Sequence, residues 1–296
     1  MDGSWYRVGV IAIVMDGNAA ATQVKSELIG RIASLAGHDV VPGLGTLLVG
    51  HDGPSAKYVA MKHADAAELG FHTRELQLPA DVSQDEVVVA IEVLNNDPRI
   101  HAYIVQYPFP AGLDFEAAIG HVSPPKDADG LHPVNLGWLV LGREAPLACT
   151  PAGILRLLEH YDVPINGQHV VIVGRGLTIG RPLANLLALK RPNANAAVTV
   201  VHTGVKDIGA FTRQADIIVS AAGSPGMITA DMVRPGAAVV AAGVSFVDGR
   251  VVSDVADDVA EVAGWLSPRI GGVGAMTRAM LMANTVAAVE RSVGVS

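Results

Sequence analysis

The amino-acid sequence predicts an α/β fold of two domains, each built on a mostly parallel sheet. Three observations carry this. The chain has 296 residues, of which 50% are apolar and 17% charged. That is too long for one small core and apolar enough to bury two without help from disorder-prone or stapled segments. From Val8 onward, apolar runs of strand length alternate with segments of helical spacing, the rhythm of β-α-β units with right-handed crossovers. A Pro- and Gly-rich stretch, Ser123–Gly137, then interrupts the rhythm before a second α/β series begins.

The first series opens with a strand at Val8–Val14. A helix follows over Ala19–Ala36, with Val24, Leu28, Ile32 and Leu35 at helical spacing. Leu44–Val49 is a continuous apolar run closed by Gly50, as a buried parallel strand would be. Ser55–Leu69 reads as helix and Phe71–Leu78 as strand. Ser83 and Glu86 form a capping box before the helix Val87–Asn96, and Ala102–Val105 is another short strand. Thr150-Pro151 opens a helix, with threonine as N-cap and proline in the first helical position. The second series has strands at His169–Val173, Ala197–Val201, Asp216–Ser220 and Ala237–Ala241. The last helix, Thr277–Arg291, follows the glycine-rich segment Gly271–Gly274.

Composition excludes several classes of partner. The formal net charge of −8 argues against a nucleic-acid surface, which would carry a basic excess. The single cysteine, Cys149, permits no intrachain disulfide and no multi-thiolate metal site, and reads as a bland buried thiol. The ten histidines show no metal-ligand spacing, so no metal is expected. The apolar run from Val8 to Met15 is far short of the roughly 20 residues of a membrane span and lacks a basic leader. A cytoplasmic protein that engages no membrane is the expectation. Residues 1–7 show no periodicity and read as either a frayed start or a short non-native addition.

The second series carries the sharper signal. Val170–Pro182 reads strand, glycine turn, helix, with Gly174, Gly176 and Gly180 in the pattern G-x-G-x-x-x-G. Glycines there let the backbone turn tightly and approach a pyrophosphate, whose charge suits a helix N-terminus. The spacing is one residue longer than the common fingerprint, and a glycine-rich turn of this kind can also exist without a ligand. The next strand ends at His202-Thr203, without the acidic residue that would hold an NAD ribose. Arg175 and Thr203 could instead bind a 2′-phosphate, which favours NADP over NAD.

In the first series, Ser55, Tyr58 and Lys62 fall at i, i+3 and i+7, on one helical face within about 60°. A lysine buried beside a tyrosine would have its pKa lowered toward useful acid–base values. Alone, such a lysine is more often a solvated surface group. Gln106, at the end of a buried strand in Val105–Pro110, and the carboxylates of Asp127 and Asp129 in Lys126–Gly130 add to it. A turn-capping glutamine and a self-bonded Asp-Gly turn are the bland alternatives. Lys62, Gln106 and Asp129 read together as a set lining one cleft.

These segments, with Cys149–Gly153, Gly174–Pro182 and Gly271–Gly274, stand in an order that resembles the bifunctional methylenetetrahydrofolate dehydrogenase/methenyltetrahydrofolate cyclohydrolase family of the FolD type. The resemblance covers roughly residues 8–292. It implies a folate-binding catalytic domain over 1–148, rejoined by the C-terminal helix 276–296, and a Rossmann-type NADP-binding domain over 149–275. It implies that Lys62 is catalytic, that Gln106 tunes it, that Tyr58 stacks on the folate, and that Asp129 grips the pterin edge. Ser55 would help position the lysine and glutamine, and Gly272 would border the substrate. Gly174, Arg175, Gly176, Gly180, Thr203 and the Val244 backbone would line the NADP site. Tetrahydrofolate derivatives would be the substrates, and the protein would be a homodimer through its dinucleotide domains.

The sequence departs from the family pattern at Gly176, Tyr107, Phe109, Ala241, Arg269, Ile270 and Ala275. Two other readings stand beside it: a different NADP-dependent oxidoreductase on a similar frame, and, motivated by Ala241 and Ala275, a non-catalytic paralogue that binds folate or dinucleotide.

Overall fold

The computed structural model describes residues 12–247 and 250–295. Residues 1–7, and the first part of the strand read at Val8–Val14, lie outside the described residues. Along the chain run β1 (Ile13–Val14), α1 (Gly17–Leu35), β2 (Gly43–Val49), α2 (Gly53–Glu68), β3 (His72–Leu78), α3 (Gln84–Asn96) and β4 (Ala102–Val105). Two short helices follow, α4 (Phe115–Ile119) and α5 (Pro133–Val140), then α6 (Cys149–His160). The second series is β5 (His169–Val173), α7 (Gly180–Ala188), β6 (Ala197–Val201), α8 (Gly209–Thr212), β7 (Ile217–Ser220) and β8 (Ala238–Ala241). The hairpin strands β9 (Val244–Val247) and β10 (Arg250–Ser253), then β11 (Trp265–Leu266) and α9 (Val273–Val293), complete it.

The chain divides into two compact units: residues up to Ala20 with Gly153–Met276, and Ala21–Ala152 with Thr277 onward. The sequence reading assigns everything up to residue 148 to one domain, whereas the structure gives residues 12–20 to the other unit. The reason is pairing: Ile13 and Val14 lie parallel to Trp265 and Leu266 of β11. A short apolar run carries no mark of the sheet it will join.

In the unit Ala21–Ala152, β2 is the central strand of a parallel sheet ordered β3-β2-β4. All seven of its residues are buried, as its unbroken apolar run requires. The helices start where the sequence marks them. Asp52 caps α2 by accepting from the Ser55 backbone N–H, and Ser83 and Glu86 form both bonds of a capping box on α3. The Thr277–Val293 portion of α9 belongs to this unit through named polar contacts. Arg278 donates to Asp65 at 2.6 Å, and Arg31 donates to Glu290 at 2.8 Å. Asn284 donates to the carbonyls of Ala128 and Leu147 at 2.8 and 2.9 Å.

The other unit holds a six-stranded sheet ordered β1-β11-β8-β7-β5-β6, every pair parallel. After β5 the chain goes to the edge as β6 and returns to the other side of β5 as β7. That reversal is the topological switch point of a doubly wound sheet, where ligands bind beyond the carboxyl ends of the strands. Its core is aliphatic, with Val171, Val173, Ile218 and Val239 fully buried.

Three details differ from the sequence reading. The Pro/Gly-rich stretch contains the start of α5, begun by Pro133 under a His132 cap. Helix α6 begins at Cys149, so Thr150 and Pro151 lie within its first turn. Helix α9 begins at Val273, inside the glycine-rich segment and four residues before the Thr277 start read from the sequence.

Asn284 holds two backbone carbonyls, Ala128 O, which also accepts from the Cys149 thiol, and Leu147 O, for which Asn284 is the partner. Asn284→Ala should therefore destabilise the protein by about 1–3 kcal/mol, the cost of leaving an inward acceptor unpaired. Urea unfolding of wild type and variant checks this, and coincident transitions would show that α9 is not anchored there.

Candidate active site

Lys62 sits in the middle of α2, whose N-terminus is fixed by Asp52 and Pro54. Its side chain faces inward, and the residue is 4% exposed. The Lys62 Nζ donates to Gln106 Oε1 at 2.9 Å and lies 4.7 Å from the centre of the Tyr58 ring. Gln106 is set by the end of β4, where its backbone N–H donates to Leu47 O at 2.8 Å. Its own Nε2 donates to Tyr107 O at 2.6 Å, which turns the amide oxygen toward the lysine. Burial pushes the Lys62 pKa below its ordinary value; Asp129 opposes this and the Arg278 guanidinium adds to it. Burial likewise pushes the Tyr58 phenol up, so the ring stays neutral.

The two carboxylates of the Lys126–Gly130 loop have separate jobs. Asp127 is 2% exposed, and its Oδ2 accepts from the His132 backbone N–H and from Asn135 Nδ2, both at 2.8 Å. It clamps the loop to α5, and burial raises its pKa. Asp129 remains partly accessible, close enough to Lys62 to act on its charge. Gly130 makes the turn possible: its φ is +65°, and a Cβ there would lie 2.3 Å from the Leu147 carbonyl carbon. Cys149 is a buried thiol that donates to Ala128 O at 3.1 Å, with its pKa pushed well up by burial.

Ser55 is used differently from the expectation drawn from the resemblance. Its hydroxyl donates to Asp52 Oδ2 at 2.6 Å, within the cap of its own helix, and not to Lys62 or Gln106. Lys62 meets both Gln106 and Tyr58, Asp129 is the electrostatic neighbour of Lys62 and Tyr58, and Ser55 holds the helix start. Gly272 belongs to the other unit, where a side chain on it would strike Pro268 O at 2.2 Å.

In that other unit, the sequence-predicted cofactor residues gather at the carboxyl ends of adjacent strands. Gly174 follows β5 with φ +132°, and a Cβ on it would lie 2.2 Å from Ala221 O at the end of β7. Its N–H donates to Val201 O at 2.8 Å, tying the turn to β6. Val173 pairs with Val201, so Arg175 and Thr203 emerge two residues beyond matched positions, and both are exposed. Gly180 starts α7 against the Gly174 carbonyl, and Gly176 has open space around it. Val244, at the start of β9, is 44% exposed. A glycine cradle at a switch point, with exposed guanidinium and hydroxyl groups and no acid at the end of β6, fits a dinucleotide bearing a 2′-phosphate.

Sequence reading missed Arg278, Asn284 and Asp254. Arg278 is 213 positions from its partner Asp65, so no local pattern could reveal it. Among the described residues, no helix is long and apolar enough to cross a membrane, and no cluster of His, Cys, Asp or Glu could hold a metal ion.

Two family models match in tandem. Residues 15–129 match the catalytic domain of tetrahydrofolate dehydrogenase/cyclohydrolase, and residues 148–293 match its NAD(P)-binding domain. The bifunctional protein FolD of Syntrophotalea carbinolica is 50% identical over 279 residues, covering 94% of this chain and 96% of that protein. The Campylobacter jejuni FolD structure superposes with a TM-score of 0.90 at 35% identity, covering 95% of this chain and 99% of that one. The Trypanosoma brucei enzyme, solved with NADP and an inhibitor, gives 0.89 at 39% identity over 95% and 98% of the two chains. The chain belongs to the tetrahydrofolate dehydrogenase/cyclohydrolase family.

Proposed function

We propose that the protein oxidises 5,10-methylenetetrahydrofolate to 5,10-methenyltetrahydrofolate with NADP⁺, and hydrolyses that cation to 10-formyltetrahydrofolate. The observation that carries the assignment is the buried 2.9 Å bond between Lys62 and Gln106, on the one side chain in this set whose burial favours an uncharged amine.

Bound NADP⁺ supplies the acceptor for the hydride that leaves the one-carbon bridge. Gly174, Gly176 and Gly180 admit the pyrophosphate close to backbone, Arg175 and Thr203 take the 2′-phosphate, and the Val244 backbone lines the same site. The chain's contribution to the hydride step is placement of the folate, since holding two reactants in register removes most of the entropic barrier. Tyr58 stacks on the folate ring, and the Asp129 carboxylate matches the paired N–H groups of the pterin.

Hydrolysis makes different demands. Water adds to the amidinium carbon, the bond from that carbon to N5 breaks, N5 gains a proton, and one proton is released overall. Lys62, with its lowered pKa, takes a proton from the attacking water and returns one to N5, work worth about 10²–10⁴-fold in rate. Gln106 holds the amine in place while it does so. A cytoplasmic homodimer acting on tetrahydrofolate derivatives, with no nucleic-acid partner, completes this reading and rests on the family resemblance.

Lys62→Met should lower cyclohydrolase turnover by at least about 10²-fold while NADP⁺ binding is retained. Decay of methenyltetrahydrofolate absorbance and calorimetric titration of NADP⁺ measure the two; normal hydrolysis in that variant would refute the lysine assignment.

The same lysine sets a pH dependence of stability. Its folded pKa lies below 10.5, so the unfolded chain binds this proton more readily. The buried ammonium penalises the fold at low pH, and the penalty fades as pH rises from the lowered pKa to the unfolded value. Relative to Lys62→Met, which has no charge to bury, wild type should gain stability across that window. Denaturant unfolding of both proteins over a pH series tests this, and a flat or falling difference contradicts it.

A further inference from the structure

Asp254, directly after β10, is a fully buried carboxylate in the unit Gly153–Met276. Its Oδ2 accepts from the backbone N–H groups of Ala222 and Gly223 at 2.8 and 3.0 Å and from Ser220 Oγ at 3.3 Å. Its own N–H donates to Gly243 O at 3.2 Å. A side chain on Gly243 would place its Cβ 1.8 Å from that Oδ2, so the carboxylate fills the volume residue 243 leaves empty. The other oxygen, Oδ1, has no hydrogen-bond partner.

The segments so joined are the carboxyl ends of β7 and β8. Ala221, between Ser220 and the two N–H donors, is the residue whose carbonyl packs against Gly174. One carboxylate therefore fixes the two strand ends beside the glycine cradle. Burying a carboxylate costs several kcal/mol unless its bonds recover it. A half-satisfied one is a poor choice for packing alone. It is a good choice for holding two successive backbone N–H groups in one direction, since a charged acceptor binds them about twice as strongly as a neutral one.

We propose that Asp254 is a positioning residue for the dinucleotide: it sets the Ser220–Gly223 and Gly243 backbones in the arrangement that admits the cofactor, and takes no part in hydrolysis. The inference rests on the reading of this unit as the NADP site. Asp254→Ala frees both strand ends. Asp254→Asn keeps the shape and one acceptor oxygen, so it folds and supports the two N–H groups.

Calorimetric titration with NADP⁺ gives binding directly, and methenyltetrahydrofolate hydrolysis without dinucleotide reports the other unit. Asp254→Ala should raise the NADP⁺ Kd and KM by at least about tenfold, the loss expected when inward N–H donors lose a charged acceptor. Dehydrogenase kcat at saturating NADP⁺ and cyclohydrolase rate should stay close to wild type, and Asp254→Asn should recover most of the affinity. Unchanged NADP⁺ affinity in Asp254→Ala overturns the proposal, as does equal loss of both activities in Asp254→Asn. Should Asp254→Ala not fold, Ser220→Ala removes a single donor, and it must weaken NADP⁺ binding without touching hydrolysis. Wild type that binds NADP⁺ but turns over neither folate would sink the functional reading and leave the Asp254 binding test standing.

Discussion

The buried hydrogen bond from Lys62 to Gln106 is the constraint around which the unit Ala21–Ala152 is arranged. An amine taken out of water must either lose its proton or find acceptors, and here the nearest recorded acceptor is one amide oxygen. That oxygen is useful only if two elements hold register. Gln106 is aimed by the ladder between β4 and β2, continued one residue beyond the last strand pair by its bond to Leu47. Lys62 is aimed by the cap at Asp52, because a helix started one residue later would rotate the lysine by about 100° out of the interior. The fully buried strand β2, the capped helix and the short strand β4 are thus conditions of one 2.9 Å contact.

Much of this was legible in the sequence because it is local. Strand limits at Ala102–Val105, His169–Val173 and Ala197–Val201 agree with the apolar runs, and the Ser83–Glu86 box forms both of its bonds. The face shared by Tyr58 and Lys62 follows from helical geometry alone. What stayed hidden depends on partners far along the chain. The strand Ile13–Val14 has no feature that directs it to β11 instead of β2. Ser55 has the right spacing to reach the lysine, but an aspartate three residues earlier captures its hydroxyl. Capping chemistry outcompeted the site, as short polar side chains near helix starts commonly prefer the local backbone and its caps.

The departures from the family pattern can be read in the same physical terms. Ala241 is 4% exposed, and its N–H donates to Ser267 Oγ at 2.8 Å, so a small apolar residue there leaves no polar group stranded. The Ala275 N–H donates to Gly272 O at 3.2 Å, a bond that a proline could not make. Ile270 is 70% exposed, and nothing in the structure explains a large apolar side chain at that place. Tyr107 and Phe109 both meet the Phe115 ring edge to face, at 5.0 and 5.2 Å, which stiffens the turn that follows Gln106. None of these changes replaces the lysine, the glutamine or the aspartate, and this weighs against a binding protein that has given up its chemistry.

The two reactions place their demands on different physical resources, and the chain separates them accordingly. Hydride transfer needs ligands held still, and the unit Gly153–Met276 offers backbone for that: at Gly174 and Gly180 an added Cβ would lie 2.2 Å from a neighbouring carbonyl oxygen. Hydrolysis, as proposed, needs a proton carrier whose charge is unfavourable, and Lys62 in the unit Ala21–Ala152 fits that need through burial, at the cost of a penalised ammonium. The first resource is rigid and indifferent to pH. The second is titratable, and it changes with every charge nearby, so Asp129 and Arg278 act on Lys62 in opposite directions. On the proposed role of Lys62, a substitution at either of them retunes hydrolysis through the lysine's proton affinity and leaves the glycine cradle as it is. By the same proposal, the electrostatics around one amine bear on hydrolysis alone, and the hydride step rests on the backbone of the other unit.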